Sequence, residues 1–108
     1  MSADRIAALE AMAAADPADP LTQFLLGSEL ARAGEHARAA EALARCVAAD
    51  PNYTAAWKSL GDARRKAGDP AAAIAAYREG AATAERTGDL QVKKECEVFL
   101  RQLEAQAP

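Results

Sequence analysis

Apolar side chains along this chain recur at three- and four-residue intervals, and no stretch reads as a β-strand. The clearest stripe is Val92, Cys96, Phe99 and Leu103, spaced by four, three and four residues. Polar and helix-breaking residues mark where such segments begin and end. Asp19-Pro20 and Asp69-Pro70 each read as an N-cap followed by proline at the first helical position. Gly34, Gly68 and Gly88 fall where helices should stop, because glycine adopts the left-handed conformation of the residue after a helix without strain. Asp16-Pro17 and Asp50-Pro51 close two further segments. The pattern predicts six helices, at residues 3–15, 20–33, 36–49, 54–67, 70–86 and 89–106. The turns between them are short, so neighbours should run antiparallel.

Residues 20–53 and 54–87 are two copies of one 34-residue unit. Leu26 aligns with Leu60, Gly27 with Gly61, Ala33 with Ala67 and Gly34 with Gly68. Ala37, Ala39 and Ala42 align with Ala71, Ala73 and Ala76. A partial copy precedes them: Ala8-Leu9 matches Ala42-Leu43, and Ala14-Ala15-Asp16-Pro17 matches Ala48-Ala49-Asp50-Pro51. Residues 3–16 thus read as the second helix of a repeat, a half-unit that shields the first full one. A strict continuation of the period would turn Lys94 and Glu95 of the last helix into the core. Sliding the register by one residue instead places Val92, Cys96 and Phe99 at the positions of Trp57, Gly61 and Arg64. Residues 89–106 then read as a lone first helix capping the stack, with Gln106-Ala107-Pro108 fraying.

A helix–turn–helix unit of this length, with Trp57, Leu60, Gly61, Ala73 and Tyr77 in one copy and Leu26, Gly27, Ala39 and Pro51 in the other, resembles the tetratricopeptide repeat. The departures are Gln23 where that family has Trp, Leu30 and Arg64 where it has Tyr, Leu43 in an aromatic slot, and Glu85 in place of proline. The resemblance implies a single all-α domain, a right-handed α-solenoid of antiparallel helix pairs. It also implies close packing at Gly27, Gly61, Ala39 and Ala73, with Trp57 and Tyr77 filling the gaps between units. In this family the first helices of successive units line a concave groove that takes peptides. Carried over by position, the groove residues are Phe24, Ser28 and Arg32, then Lys58, Asp62 and Lys66 with Arg65 at the edge, then Lys93, Glu97 and Arg101. The implied function is noncatalytic binding of a protein or peptide.

Composition narrows this picture. Alanine occupies 31 of the 108 positions and only five residues are aromatic, so each helix buries little area and the few large side chains matter most. The net charge is −3, and Lys and Arg form no dense patch interleaved with aromatics, which argues against nucleic acid. No run of 18 apolar residues is present and the first residues lack a signal-peptide layout, so the expected location is the cytoplasm, away from the membrane. Cys46 and Cys96 fall at small-residue helical positions and are expected to be buried free thiols. His36, without a second His or nearby Cys, is expected at the surface. With no phosphate-binding loop, zinc motif or Cys–His pair, neither an enzyme nor a cofactor is expected.

Two groove helices repeat a basic–acidic–basic spacing, Lys58–Asp62–Lys66 and Lys93–Glu97–Arg101. Such a row can hold a peptide of basic or mixed charge, or it can be a set of i,i+4 ion pairs on a solvated face. Phe24 adds a hydrophobic candidate, because Phe24, Leu25 and Leu26 cannot all face one core. The family's grip on a terminal carboxylate uses Asn where this chain has Ser28, Asp62 and Glu97, so that mode is not expected. The rival to a peptide groove is self-association through an end helix. In that case Leu90, Leu100 and Leu103 would leave an apolar strip for a second copy, giving a weak homodimer.

Overall fold

A computed structural model describes residues 2–106, and Ala107 and Pro108, expected to fray, lie outside the described residues. Six helices follow in order: α1 Ser2–Ala15, α2 Pro20–Arg32, α3 His36–Ala49, α4 Thr54–Lys66, α5 Pro70–Thr87 and α6 Leu90–Gln106. Each lies within two residues of its predicted span. The helices form an all-α stack of 39 × 28 × 19 Å, in which α2 packs on α3, α4 on α5, and α6 on both α5 and α4. Helix α1 packs on α2.

Two turns repeat the same stop. The Gly34 amide donates to the Ala31 carbonyl at 3.0 Å and the Glu35 amide to Leu30 at 2.9 Å. One period later, Gly68 donates to Arg65 at 3.1 Å and Asp69 to Arg64 at 2.9 Å. Both glycines have positive φ, +80° and +87°, which an L side chain would strain. The starts differ. Asp69 accepts from the Ala72 amide at 3.1 Å, a true side-chain cap, whereas Asp19 spends its carboxylate on the Thr22 hydroxyl at 2.6 Å. The hydroxyl outcompetes the backbone amide, so the expected side-chain cap at Asp19 does not form.

The core divides between two clusters. Ile6, Leu9, Leu26, Leu30, Leu43, Val47 and Leu60 join α1 to α4, while Tyr77, Ala84, Val92, Cys96 and Leu103 join α5 to α6. Close approach within each helix pair depends on glycine. A Cβ at Gly27 would sit 2.6 Å from Leu43 Cγ, and one at Gly61 would sit 2.5 Å from Tyr77 Cε1. The shifted register of α6 is present: Val92, Cys96 and Leu103 are buried, Phe99 is half-buried, and Lys94 is exposed. It accompanies a longer α5, which runs for 18 residues where α3 runs for 14. With no proline after it, α5 continues to Gly88, which ends it at φ +81°. Asp89 then ties the start of α6 to α4, accepting from the Thr54 hydroxyl at 2.6 Å.

Candidate functional site

The exposed face of α2 carries Leu21, Leu25, Ser28 and Arg32, at the i, i+4, i+7, i+11 spacing of a single helical stripe. One repeat later, α4 presents Ala55, Ser59, Asp62 and Lys66. Between the two stripes lies a cavity of about 510 Å³, lined by Ser28, Arg32, His36, Lys58, Asp62 and Lys66 and by the buried Leu43 and Ala63. Five of the ten predicted groove residues therefore meet at one concavity. The other five lie elsewhere. Phe24 stacks on Tyr53 with ring centroids 4.9 Å apart, Arg65 turns toward α6, and Lys93, Glu97 and Arg101 lie along α6.

Asp62 is the most heavily engaged of these side chains. It accepts a 2.5 Å hydrogen bond from the Tyr77 hydroxyl and pairs with Lys58 at 3.1 Å and Arg65 at 3.8 Å. Arg65 in turn donates from Nε to the Tyr77 hydroxyl at 3.3 Å and lies 4.6 Å above the Phe99 ring. Tyr77 is fully buried and stacked on Phe99 at 5.3 Å, and burial raises its pKa far above the ordinary phenol range. The phenol stays a donor at any physiological pH. Asp62 is thus held from below by the core, and Lys93 and Glu97 make a corresponding i,i+4 pair at 3.6 Å.

Behind the opposite wall, Glu29 is buried in α2 and shared by two cations. Arg32 hydrogen-bonds to it from the same helix, and Arg5 of α1 pairs with it at 3.3 Å. The hydrogen bond from Arg32 and the two guanidinium charges hold the Glu29 carboxyl below its ordinary range, against a smaller opposing effect of burial. His36 is not the surface residue its isolation in the sequence suggested. It is half-buried on the cavity wall, and its Nδ1 is shielded from solvent with no hydrogen-bond partner. No signal in the sequence marks that position, because the cavity wall it joins is assembled from α2, α3 and α4.

The hydrophobic part of the face also differs from expectation. Of the three adjacent apolar residues, Leu26 is buried, Phe24 is half-covered by Tyr53, and Leu25 is the exposed one at 38%. Leu21, one turn earlier, is 54% exposed. The i, i+4, i+7, i+11 stripe through Ser28 and Arg32 was the signal that could have found both leucines. The thiols are placed as expected: Cys46 and Cys96 are free and buried. Burial pushes both up to about 11, so neither supplies a thiolate at neutral pH.

The tetratricopeptide repeat family profile matches residues 1–84. A relative, the TPR repeat-containing protein PA0015 of Pseudomonas aeruginosa, is 50% identical over 99 residues, which span 92% of this chain and 94% of the relative. The solution structure of protein BPP2914 from Bordetella parapertussis superposes with a TM-score of 0.77 at 39% identity, over 94% of this chain and 88% of that one. The first TPR of Spaghetti (RPAP3), bound to an HSP90 peptide, has the same fold at a TM-score of 0.74 and 22% identity. That match covers 94% of this chain and 75% of the other. With its two matched 34-residue units, its glycine-dependent helix pairs and these relatives, the chain belongs to the tetratricopeptide repeat family.

Proposed function

We propose that this chain is a noncatalytic interaction module that holds a partner protein or peptide on the concave face of α2, α4 and α6. The observation that supports this reading is the 510 Å³ cavity between α2 and α4, where polar side chains of both helices converge around an opening flanked by exposed leucines. Peptide sites combine such features: a concave surface, apolar contact area and a few polar groups that fix orientation. The peptide-bound RPAP3 domain shares this fold, and a peptide ligand is the corresponding reading for this chain. The two thiols, held protonated by burial, offer no nucleophile.

Self-association through α6 has less to support it. Leu103 is buried, Leu100 is half-buried, and the exposed residues are Leu90 and Val98. At roughly 100° per residue, Val98 and Leu100 project from nearly opposite sides of the helix. Together they form no continuous strip.

The test is selection from a random-sequence peptide display library, followed by amide chemical-shift mapping with the selected peptides. Shifts centred on Ser28, Lys58, Asp62 and Lys93 are expected. Shifts confined to the second helices α3 and α5, or selection of no peptide at all, would overturn the groove reading.

A further inference from the structure

We infer that the half of the groove between α2 and α4 recognises an acidic side chain next to a bulky apolar one, within a peptide rather than at its end. This inference rests on the groove reading above and adds the chemistry of the ligand. It follows from the charge that the cavity leaves uncompensated. Asp62, the acid on the cavity wall, already takes a phenol hydrogen bond, Lys58 and Arg65. Glu29, behind the other wall, is shared by Arg5 and Arg32. Among the ionised side chains that line the cavity, Arg32, Lys58 and Lys66 are cations and Asp62 is the acid, and Lys66 is in no ion pair among the described residues. A chain with net charge −3 thus presents a locally positive hollow. Ion pairs that share one carboxylate leave the second cation able to bind an incoming anion without giving up an existing partner.

His36 adds an independent observation. Its Nδ1 is the one buried side-chain polar atom among the described residues with no hydrogen-bond partner. An unmade hydrogen bond on a residue of the cavity wall costs free energy, and in the tautomer that carries the proton on Nδ1 a ligand's acceptor oxygen would recover it once the ring rotates toward it. The apolar component comes from the same stripe of α2. Leu21 and Leu25 stand exposed toward its amino end, with Arg32 at the other end and Ser28 between them. The face therefore passes from apolar to cationic within three helical turns. One peptide can satisfy both parts with a large aliphatic or aromatic side chain and, a few residues away, Asp or Glu. Asp62 lines the hollow too, but its carboxylate is already taken by Tyr77, Lys58 and Arg65, so the geometry favours a single acidic group held by Lys66 and Arg32 over a basic one drawn to Asp62.

The probes are three pools of random nonapeptides with acetylated and amidated ends, fixed at the centre as Glu, Gln or Lys. Binding is read by fluorescence polarisation, and its position by amide shifts. The Glu pool should bind roughly five- to tenfold more tightly than the Gln pool, the range of a part-exposed charge-assisted hydrogen bond. Lys66→Ala should erase that preference by weakening the Glu pool several-fold more than the Gln pool, and Lys66→Arg should restore it. Leu25→Ser should weaken the Glu and Gln pools equally. If the Glu and Gln pools bind alike at Ser28 and Asp62, the groove reading stands and the acidic preference is overturned. A tighter Lys pool overturns it as well, as does binding seen only when the Glu pool carries a free carboxyl terminus. Shifts confined to α3 and α5 would instead remove the groove itself.

Discussion

The helix pairs α2–α3 and α4–α5 solve the same packing problem with different residues. Where Trp57 donates its indole N–H to the Pro51 carbonyl at 2.8 Å, Gln23 donates its amide N–H to the Pro17 carbonyl at 3.1 Å. Both bonds reach back six residues across the preceding turn. Gln23 also accepts from Arg45 Nε at 3.2 Å, so its buried amide is satisfied at both ends. Opposite the glycine of each pair, Leu43 fills the space in one case and Tyr77 in the other. The concave stripes, by contrast, keep only a cation in common, Arg32 and Lys66, and otherwise differ: Leu21, Leu25 and Ser28 against Ala55, Ser59 and Asp62. Interior positions preserve a hydrogen bond or a volume, and the outward face is free to change.

The comparison is broken most severely at the glycines. Gly61→Ala brings a Cβ within 2.8 Å of three Tyr77 ring atoms, and that ring is pinned by Phe99, Asp62 and Arg65. The helix-propensity gain of about 1 kcal/mol does not offset overpacking against a ring that cannot turn, so a net loss of about 3 kcal/mol is expected. Gly27→Ala meets Leu43, an aliphatic side chain without polar anchors, and should cost about half as much. Urea titration of both variants checks the ratio, and equal losses would mean that the pinning of Tyr77 adds nothing.

Tyr77→Phe isolates what the second pair gained by using an aromatic with a hydroxyl. The ring and its stack on Phe99 remain, while Asp62 loses a 2.5 Å donor and Arg65 an acceptor. Asp62 keeps Lys58 and partial contact with solvent, so the loss should be about 1–1.5 kcal/mol by denaturant titration. A loss near zero would show that the cations alone satisfy Asp62.

Smaller again is the exchange at the position where the two pairs differ most in sequence. Trp57→Phe keeps much of the buried area but removes the donor to Pro51, and should cost about 1 kcal/mol. Trp57→Gln keeps a donor and gives up area. If both chains of reasoning hold, Gln fares no worse than Phe despite being the less conservative change, which thermal denaturation can rank.

What could be read from the sequence follows the same division. The 34-residue period, the Asp-Pro starts and the glycine stops determine the six helices almost to the residue, because each signal is local to the backbone it controls. The one-residue slide of α6 was readable too, since Val92, Cys96 and Leu103 declare their own stripe. Contacts between particular side chains were not readable. Gly80 aligns with Cys46 one repeat earlier and gives no repeat signal of its own, yet a Cβ there would sit 2.9 Å from Cys96 Sγ and 3.0 Å from Trp57 Cβ. Its necessity arises from a helix with a different register. Asp62 read either as a groove acid or as an i,i+4 partner of Lys58 and Lys66, and the hydroxyl that binds it lies fifteen positions away on α5. Leu25 and Phe24 are adjacent in sequence, and only the position of Tyr53 decides which of them is covered.

The smallest effect concerns a buried acid that the first pair has and the second lacks. Glu29 aligns with Ala63, and its pairing with Arg5 joins α1 to α2. Its pKa is lowered in the folded chain, so it binds a proton less readily there than when unfolded. The stabilisation is therefore present above the ordinary carboxylate pKa of 4.5 and is lost as pH falls through the lower folded value. Glu29→Gln removes this linkage, so its stability should fall less steeply than that of the parent as the solution is acidified below that point. Amide exchange in α1 gives the local reading. Exchange there should accelerate on acidification, relative to intrinsic rates, more in the parent than in Glu29→Gln, while α4 and α5 stay unchanged between the two. Identical acid limbs in both chains would mean that α1 is held by Ile6, Leu9 and Ala13 and by the Glu10–Arg38 pair without help from Glu29, and that the Glu29 carboxylate serves only to keep Arg32 in place at the groove.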